Sequence, residues 1–231
     1  MSNTATREEW LTARKALLER EKSLTRLHDE LSAARRALPW IKVEKEYRFE
    51  GPDGCVSLSD LFGESRQLIV YHFMYGPDWK EGCPSCSFWA DNFNGVDVHL
   101  AQRDIAFVAI SRAPFDTLNT FRKRMGWNFR WFSSRESDFN FDFHVSFEPG
   151  MPEPEFRFYN FRDVPNANGE LPGVSVFVKD DNGNIFHTYS AYARGLEIFN
   201  GAYNLMDLTP YGRDEVGLAY SMAWVRIKDK Y

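Results

Sequence analysis

Leu68-Ile69-Val70-Tyr71-His72-Phe73-Met74-Tyr75 is a nearly unbroken apolar run, closed by Gly76-Pro77 and followed shortly by Cys83-Pro84-Ser85-Cys86. An apolar run bounded by turn residues reads as a strand covered on both faces. Beyond it, Phe88, Trp89, Phe93 and Val96 recur at helical spacing, which predicts a helix from Pro84 to about His99. The two cysteines therefore stand where a buried strand hands over to a helix.

Working outward, Ile105-Ala106-Phe107-Val108-Ala109-Ile110-Ser111 is a second buried strand. Residues 114–125 form a second helix, closed by Gly126 as its C-cap. Strand, helix, strand, helix in that order implies a right-handed parallel unit. Further on, Val174–Lys179 and Asn184–Tyr189 flank Asp180-Asp181-Asn182-Gly183, a hairpin signal, and a closing helix spans 194–206. A parallel half, an antiparallel hairpin and a closing helix make an α/β chain with a thioredoxin-like fold: a central mixed sheet flanked by helices.

Upstream, residues 7–38 read as one long N-terminal helix without Gly or Pro. Trp10, Leu17, Leu24, Leu31 and Leu38 recur every seven residues, with Ala13, Leu27 and Ala34 alongside. Thr6 and Glu9 suit a capping box, and Pro39 ends the run. The apolar stripe either packs on the chain's own domain or pairs with a second subunit, and a homodimer is expected. Residues 39–49 alternate as a half-buried strand, Gly51-Pro52-Asp53-Gly54 is a turn, and Val56-Ser57-Leu58 is extended. The organisation predicted is a helical arm at 1–45 and a thioredoxin-like domain at 46–231, with an aromatic-rich insert at about 127–165.

Composition narrows the function. The 231 residues are 43% hydrophobic, enough for a substantial core. A net charge of −5, from 28 basic and 33 acidic residues, weighs mildly against nucleic acid and anionic membranes as partners and points to no substrate. The N-terminus lacks a signal peptide's basic start and apolar run, and no stretch reaches the ~18 apolar residues of a membrane span. The expectation is a cytoplasmic protein. Three cysteines cannot staple a secreted fold, so a close pair points to catalysis or metal.

At the start of a helix, Cys83 would meet unpaired N–H groups and the positive end of the dipole, which favour a thiolate. Pro84 fits the first helical position, where its missing N–H costs nothing. Cys86, one turn on, is placed to close a disulfide. The expected activity is thiol–disulfide exchange without a cofactor: Cys83 attacks a disulfide or small-thiol substrate, Cys86 resolves, and an external reductant resets the pair. An atypical peroxide reductase could use the same pair. A zinc site would need two more ligands from Cys55, His72, His99, His144 and His187; a copper site would add His144 or His187 to the pair. An inactive interaction module is a further alternative. Lys80 near Cys83 would support the thiolate, and Trp79 would shield the active face; a solvated Lys and an anchoring Trp are the bland readings.

Phe73–Trp89, with its Tyr75-Gly76-Pro77-Asp78-Trp79 and Cys83-Pro84-Ser85-Cys86, resembles an uncharacterised bacterial family, a domain of unknown function within the thioredoxin-like superfamily. Arg36-Ala37-Leu38-Pro39-Trp40, Tyr192-Ala193-Arg194-Gly195 and residues 207–215 extend the resemblance across about 7–220. It implies the fold and a redox site, and no substrate. Two departures from better understood relatives stand out. Val174 occupies the place of the thioredoxin cis-proline, with Pro172 two residues early, and Lys80 the place of the peroxiredoxin Thr or Ser.

Between Trp127 and Phe161 lie twelve aromatic residues, among them Trp131, Phe139, Phe141, Phe143 and Phe156. They predict either an aromatic lid beside the cysteines or a satellite hydrophobic cluster, the latter being the plainer expectation. The alternation at 138–143 suggests an extended segment, and 149–154 breaks regular structure. Cys55 reads as an inert small hydrophobe, and His72 and His187 as hydrogen-bonded core residues.

Overall fold

A computed structural model of the protein describes residues 4–148 and 158–231, in two compact units, Met1–Pro39 and Trp40–Tyr231. Phe156 and the breaker segment 149–154 lie outside the described residues.

The first unit is helix α1 (Arg7–Arg36). The capping box forms: Glu9 N–H donates to Thr6 Oγ1 at 3.3 Å and Thr6 N–H to Glu9 Oε2 at 2.8 Å. Glu8 and Glu9 in the first turn, with Arg35 and Arg36 in the last, complement the helix dipole. No residue of α1 is buried, and the whole seven-residue stripe from Trp10 to Leu38 is exposed.

The second unit opens with β1 (Ile41–Lys42), β2 (Arg48–Gly51), β3 (Gly54–Ser57) and α2 (Leu58–Leu61). Its centre is β4 (Gln67–His72), α3 (Pro84–Phe93), α4 (Asp97–Ala101), β5 (Ile105–Ser111) and α5 (Phe115–Met125). There follow β6 (Arg130–Ser133), α6 (Phe139–Asp142), β7 (Ser146–Phe147), β8 (Phe158–Tyr159), β9 (Arg162–Asp163) and β10 (Gly169–Glu170). The hairpin is β11 (Gly173–Lys179) and β12 (Ile185–Tyr192), trailed by a 3₁₀ segment (Ala193–Phe199) and α7 (Gly201–Met206).

Eight strands make one mixed sheet in the order β1-β12-β11-β4-β5-β6-β2-β3. β4 and β5 pair in parallel with α3 between them, and β11 pairs antiparallel with both β4 and β12. That is the thioredoxin-like arrangement. Alternation along β4 feeds both faces: Tyr71 packs with α3 and α5 on one side, while Leu68 and Val70 pack with Phe139, Phe143 and Phe177 on the other.

Several elements differ from their sequence reading. The alternating segment 39–49 is two strands at opposite sides of the sheet: Ile41 pairs with His187, and Glu50 with Ser133. Ile41 and Lys42, read as part of the arm, thus belong to the sheet. The helix read to His99 breaks at Gly95, whose φ of +89° suits glycine. The extended reading of 138–143 is wrong, because α6 is helical. Phe139 and Phe143, four apart, share one buried face, whereas Phe141 turns away under the Arg112 guanidinium. β6, unforeseen, lengthens the parallel half beside β5.

The aromatic insert is neither lid nor satellite for the most part. Trp127, Phe129 and Trp131 join the core beneath α3 and α5, and Phe132, Phe139 and Phe143 the opposite core. Phe147 and Tyr159 alone among them form a small separate cluster, with Val145 and Tyr192. Cys55 is exposed on β3, opposite Glu50.

Candidate functional site

Three local features place the cysteines. The loop after β4 returns to its strand end, where Cys83 N–H donates to Met74 C=O at 3.1 Å. Gly82 passes so close to the core that an added Cβ would stand 2.8 Å from the Phe73 ring and 3.0 Å from Phe121. From α5, Arg124 pins the loop through Glu81 at 2.6 Å, and Lys230 also pairs with Glu81. Cys83 is then the N-cap of α3 with Pro84 as its first residue, as the sequence predicts.

The sulfurs have opposite environments. Cys83 is half-buried and its thiol is lowered to about 7. The leading cause is the Cys86 S–H donated to it; the N–H groups of Cys86 and Ser85 and the Ser85 hydroxyl add to this against the cost of burial. Cys86 is 2% exposed, and burial followed by the neighbouring Cys83 pushes its thiol upward. Its sulfur accepts the Met74 N–H at 3.5 Å and the Tyr71 hydroxyl, which partly counter that rise. Both cysteines are free; burial pushes the Cys86 thiol up, while hydrogen bonds lower that of Cys83.

Pro84 stands at the predicted place. Lys80 is exposed on a groove with Asp116 and Arg124, and the groups that act most on Cys83 are Cys86 and Ser85. Trp79 is 38% exposed and its ring covers Gly76, where a Cβ would meet indole Nε1 at 2.7 Å. Val174 is buried in β11, and Pro172 lines a cavity that also touches Cys86. Sequence reasoning missed Tyr71, Ser85 and this cavity, whose outer wall is the C-terminal segment. Ser85 was visible, since any residue between such cysteines presents its N–H at the helix start.

The histidines stand elsewhere. His72 Nε2 lies 2.8 Å from Ser175 Oγ, which lies 2.9 Å from Ser190 Oγ, and His187 Nε2 meets Ser190 Oγ at 2.8 Å. Burial, with His187 nearby, lowers His72 to about 3. His144 and His187 line a different cavity from Cys86. Among the described residues no three His, Cys, Asp or Glu side chains converge as a metal site. No helix among these residues is long and apolar enough to cross a membrane.

A mixed sheet of this topology, with a Cys-Pro-Ser-Cys pair at the first turn of the helix after its central strand, defines a thioredoxin-like protein. The chain belongs to the family described as bacterial protein of unknown function (DUF899), which matches residues 1–231. No curated protein matches it. Among solved structures it is similar to the peroxidoxin BcpB of Mycobacterium tuberculosis, at 14% identity and a TM-score of 0.46, over 68% of this chain and 86% of that one. It is similar also to a PrxQ cysteine mutant of Xylella fastidiosa, at 16% identity and a TM-score of 0.43, over 67% and 86% respectively. A yeast mitochondrial 1-Cys peroxiredoxin matches at 16% identity and a TM-score of 0.42, over 70% and 73%.

Proposed function

We propose that the protein is a thiol–disulfide oxidoreductase in which Cys83 is the nucleophile and Cys86 the resolving thiol. The observation that carries this reading is the contrast between the sulfurs: Cys83 is half-buried at a helix N-terminus, where hydrogen bonds lower its thiol, and Cys86 is buried one turn away, where burial raises its own. The Cys83 thiolate attacks a substrate disulfide, forming a mixed disulfide and expelling one substrate thiolate. Cys86 loses its proton and attacks Cys83 Sγ, expelling the second thiolate and leaving the Cys83–Cys86 disulfide. An external reductant resets the pair, which suits a reducing, cytoplasmic setting. The exposed stripe of α1 fits pairing with a second copy of the chain, and a homodimer is part of the proposal.

The test is the redox midpoint of the pair, read by alkylation and mass spectrometry across a dithiothreitol series. A reversible two-electron couple, absent in Cys83→Ser, supports the reading; thiols that never pair sink it. Saturable consumption of hydrogen peroxide, lost with Cys83, would move the protein to the peroxide reductases.

A further inference from the structure

The two sulfurs differ in what can reach them. A partly enclosed cavity of about 350 Å³ adjoins Cys86, and Cys83 is not among its lining residues. Tyr71, Met74, Cys86 and Trp89 form its inner wall, Leu196 and Met222 part of its outer one. The outer wall is fastened by the Trp89 indole N–H, which donates to Leu196 C=O at 2.7 Å. A cavity of this size accommodates a small molecule.

The charged side chains of the lining are matched within the protein. Arg213 grips Asp207 at 2.9 and 2.8 Å, and its guanidinium lies 4.0 Å over the Tyr203 ring. Arg194 closes on Glu197 at 3.0 and 3.2 Å. Glu215 Oε1 accepts the Tyr203 hydroxyl at 2.7 Å, Met222 N–H at 2.9 Å and Trp224 Nε1–H at 2.8 Å. The cavity therefore presents apolar surface and internally paired charges, which favour an uncharged ligand.

Cys86 decides what kind of ligand could react. In the dithiol its sulfur is buried and keeps its proton, so it is a poor nucleophile. In the disulfide the same sulfur is an electrophile. A molecule in the cavity thus meets a reactive sulfur in the oxidised protein, and it must bring the nucleophile itself. Attack on Cys86 makes Cys83 the leaving group, and Cys83 has the N–H groups of Ser85 and Cys86 to receive the charge; the less basic thiolate leaves faster.

We propose that this cavity binds a small, uncharged, apolar monothiol that reduces the Cys83–Cys86 disulfide by attacking Cys86 from the cavity side. The inference rests on the redox reading of the pair given above. The incoming sulfur bonds to Cys86 Sγ, the bond to Cys83 breaks with its electron pair leaving on Cys83, and the attacker's proton goes to solvent. A second thiol then attacks the ligand's sulfur, and Cys86 leaves and regains a proton from solvent. Two thiols become one small disulfide as the protein disulfide becomes a dithiol.

The test mixes the oxidised full-length protein with benzyl mercaptan, 2-mercaptoethanol or glutathione at matched thiolate concentrations, and follows reduction by quenched alkylation. Benzyl mercaptan is expected to react at least tenfold faster than glutathione, to saturate, and to be slowed competitively by benzyl alcohol. Its quenched adduct should map to Cys86, and Ser221→Trp in the cavity wall should shrink its advantage. In the unaltered chain, rates that track thiol basicity alone, indifference to benzyl alcohol, or an adduct on Cys83 would overturn the cavity assignment while leaving the redox pair intact. A chain that forms no disulfide fails at the earlier reading, and this one falls with it.

Discussion

Cys83 and Cys86 are the same side chain one helical turn apart, yet position makes one acidic and the other reluctant to ionise. Iodoacetamide labelling of Cys83 is expected to rise with pH through about 7, against an ordinary value of 9.0. Cys86→Ala, which removes the leading donor, should move that midpoint up further than Ser85→Ala, which removes only a hydroxyl; the pH profile of labelling by mass spectrometry checks both. His72 is lowered too, by burial that disfavours its charged form. In the unfolded chain its imidazole takes a proton near 6.5, in the fold only near 3. Acid therefore favours unfolding: the stability is present in full above 6.5 and is lost as pH falls toward 3, at up to ~1.4 kcal/mol per pH unit. His72→Gln should flatten this decline between pH 6.5 and 4 in urea titrations. At this scale the sequence was legible where neighbours along the chain do the work, as with Cys83, Pro84 and Cys86. It was mute on Tyr71, because a strand residue meets Cys86 only when β4 and α3 have docked.

Helices and strands with strong periodicity were readable: α1, β4, β5, α5 and the hairpin sit within a few residues of expectation. Gly126, with φ +65°, ends α5, and Asp180 Oδ1 accepts the Asn182 and Asn184 N–H groups in the hairpin turn. The failures share a cause. The pattern at 138–143 satisfies periods of two and of four alike at Phe139 and Phe143, and only packing against β4 and β11 decides between them. α1 poses the reverse problem, a clear seven-residue stripe with no buried residue in this single chain. Leu24 is at the middle of the stripe and exposed, so Leu24→Glu should convert a dimer to a monomer without loss of helical signal. Light scattering after gel filtration gives the mass; a monomeric parent protein would remove the dimer from the proposal.

Over the whole molecule, the C-terminal segment closes one side of the dithiol, and Glu215 ties that segment together from within. Three donors converge on one carboxylate oxygen, so Glu215→Leu strands them and is expected to cost about 2–4 kcal/mol in chemical denaturation. None of this was readable in advance, since residues 207–222 carry little periodicity and their order comes from side-chain hydrogen bonds. The same scale gives meaning to the short passage between β1 and β2. Lys42 and Arg48 lie six steps apart along the chain, a reach of at most ~22 Å. Between their strands the sheet counts six spacings, which laid flat would measure ~29 Å. The chain is too short for a flat sheet, so it acts as a bowstring: the strands must bow, and the concave side takes the string, with Val43 and Tyr47 lodged among its apolar side chains. The dithiol lies across the sheet from that string, among the side chains of the other core.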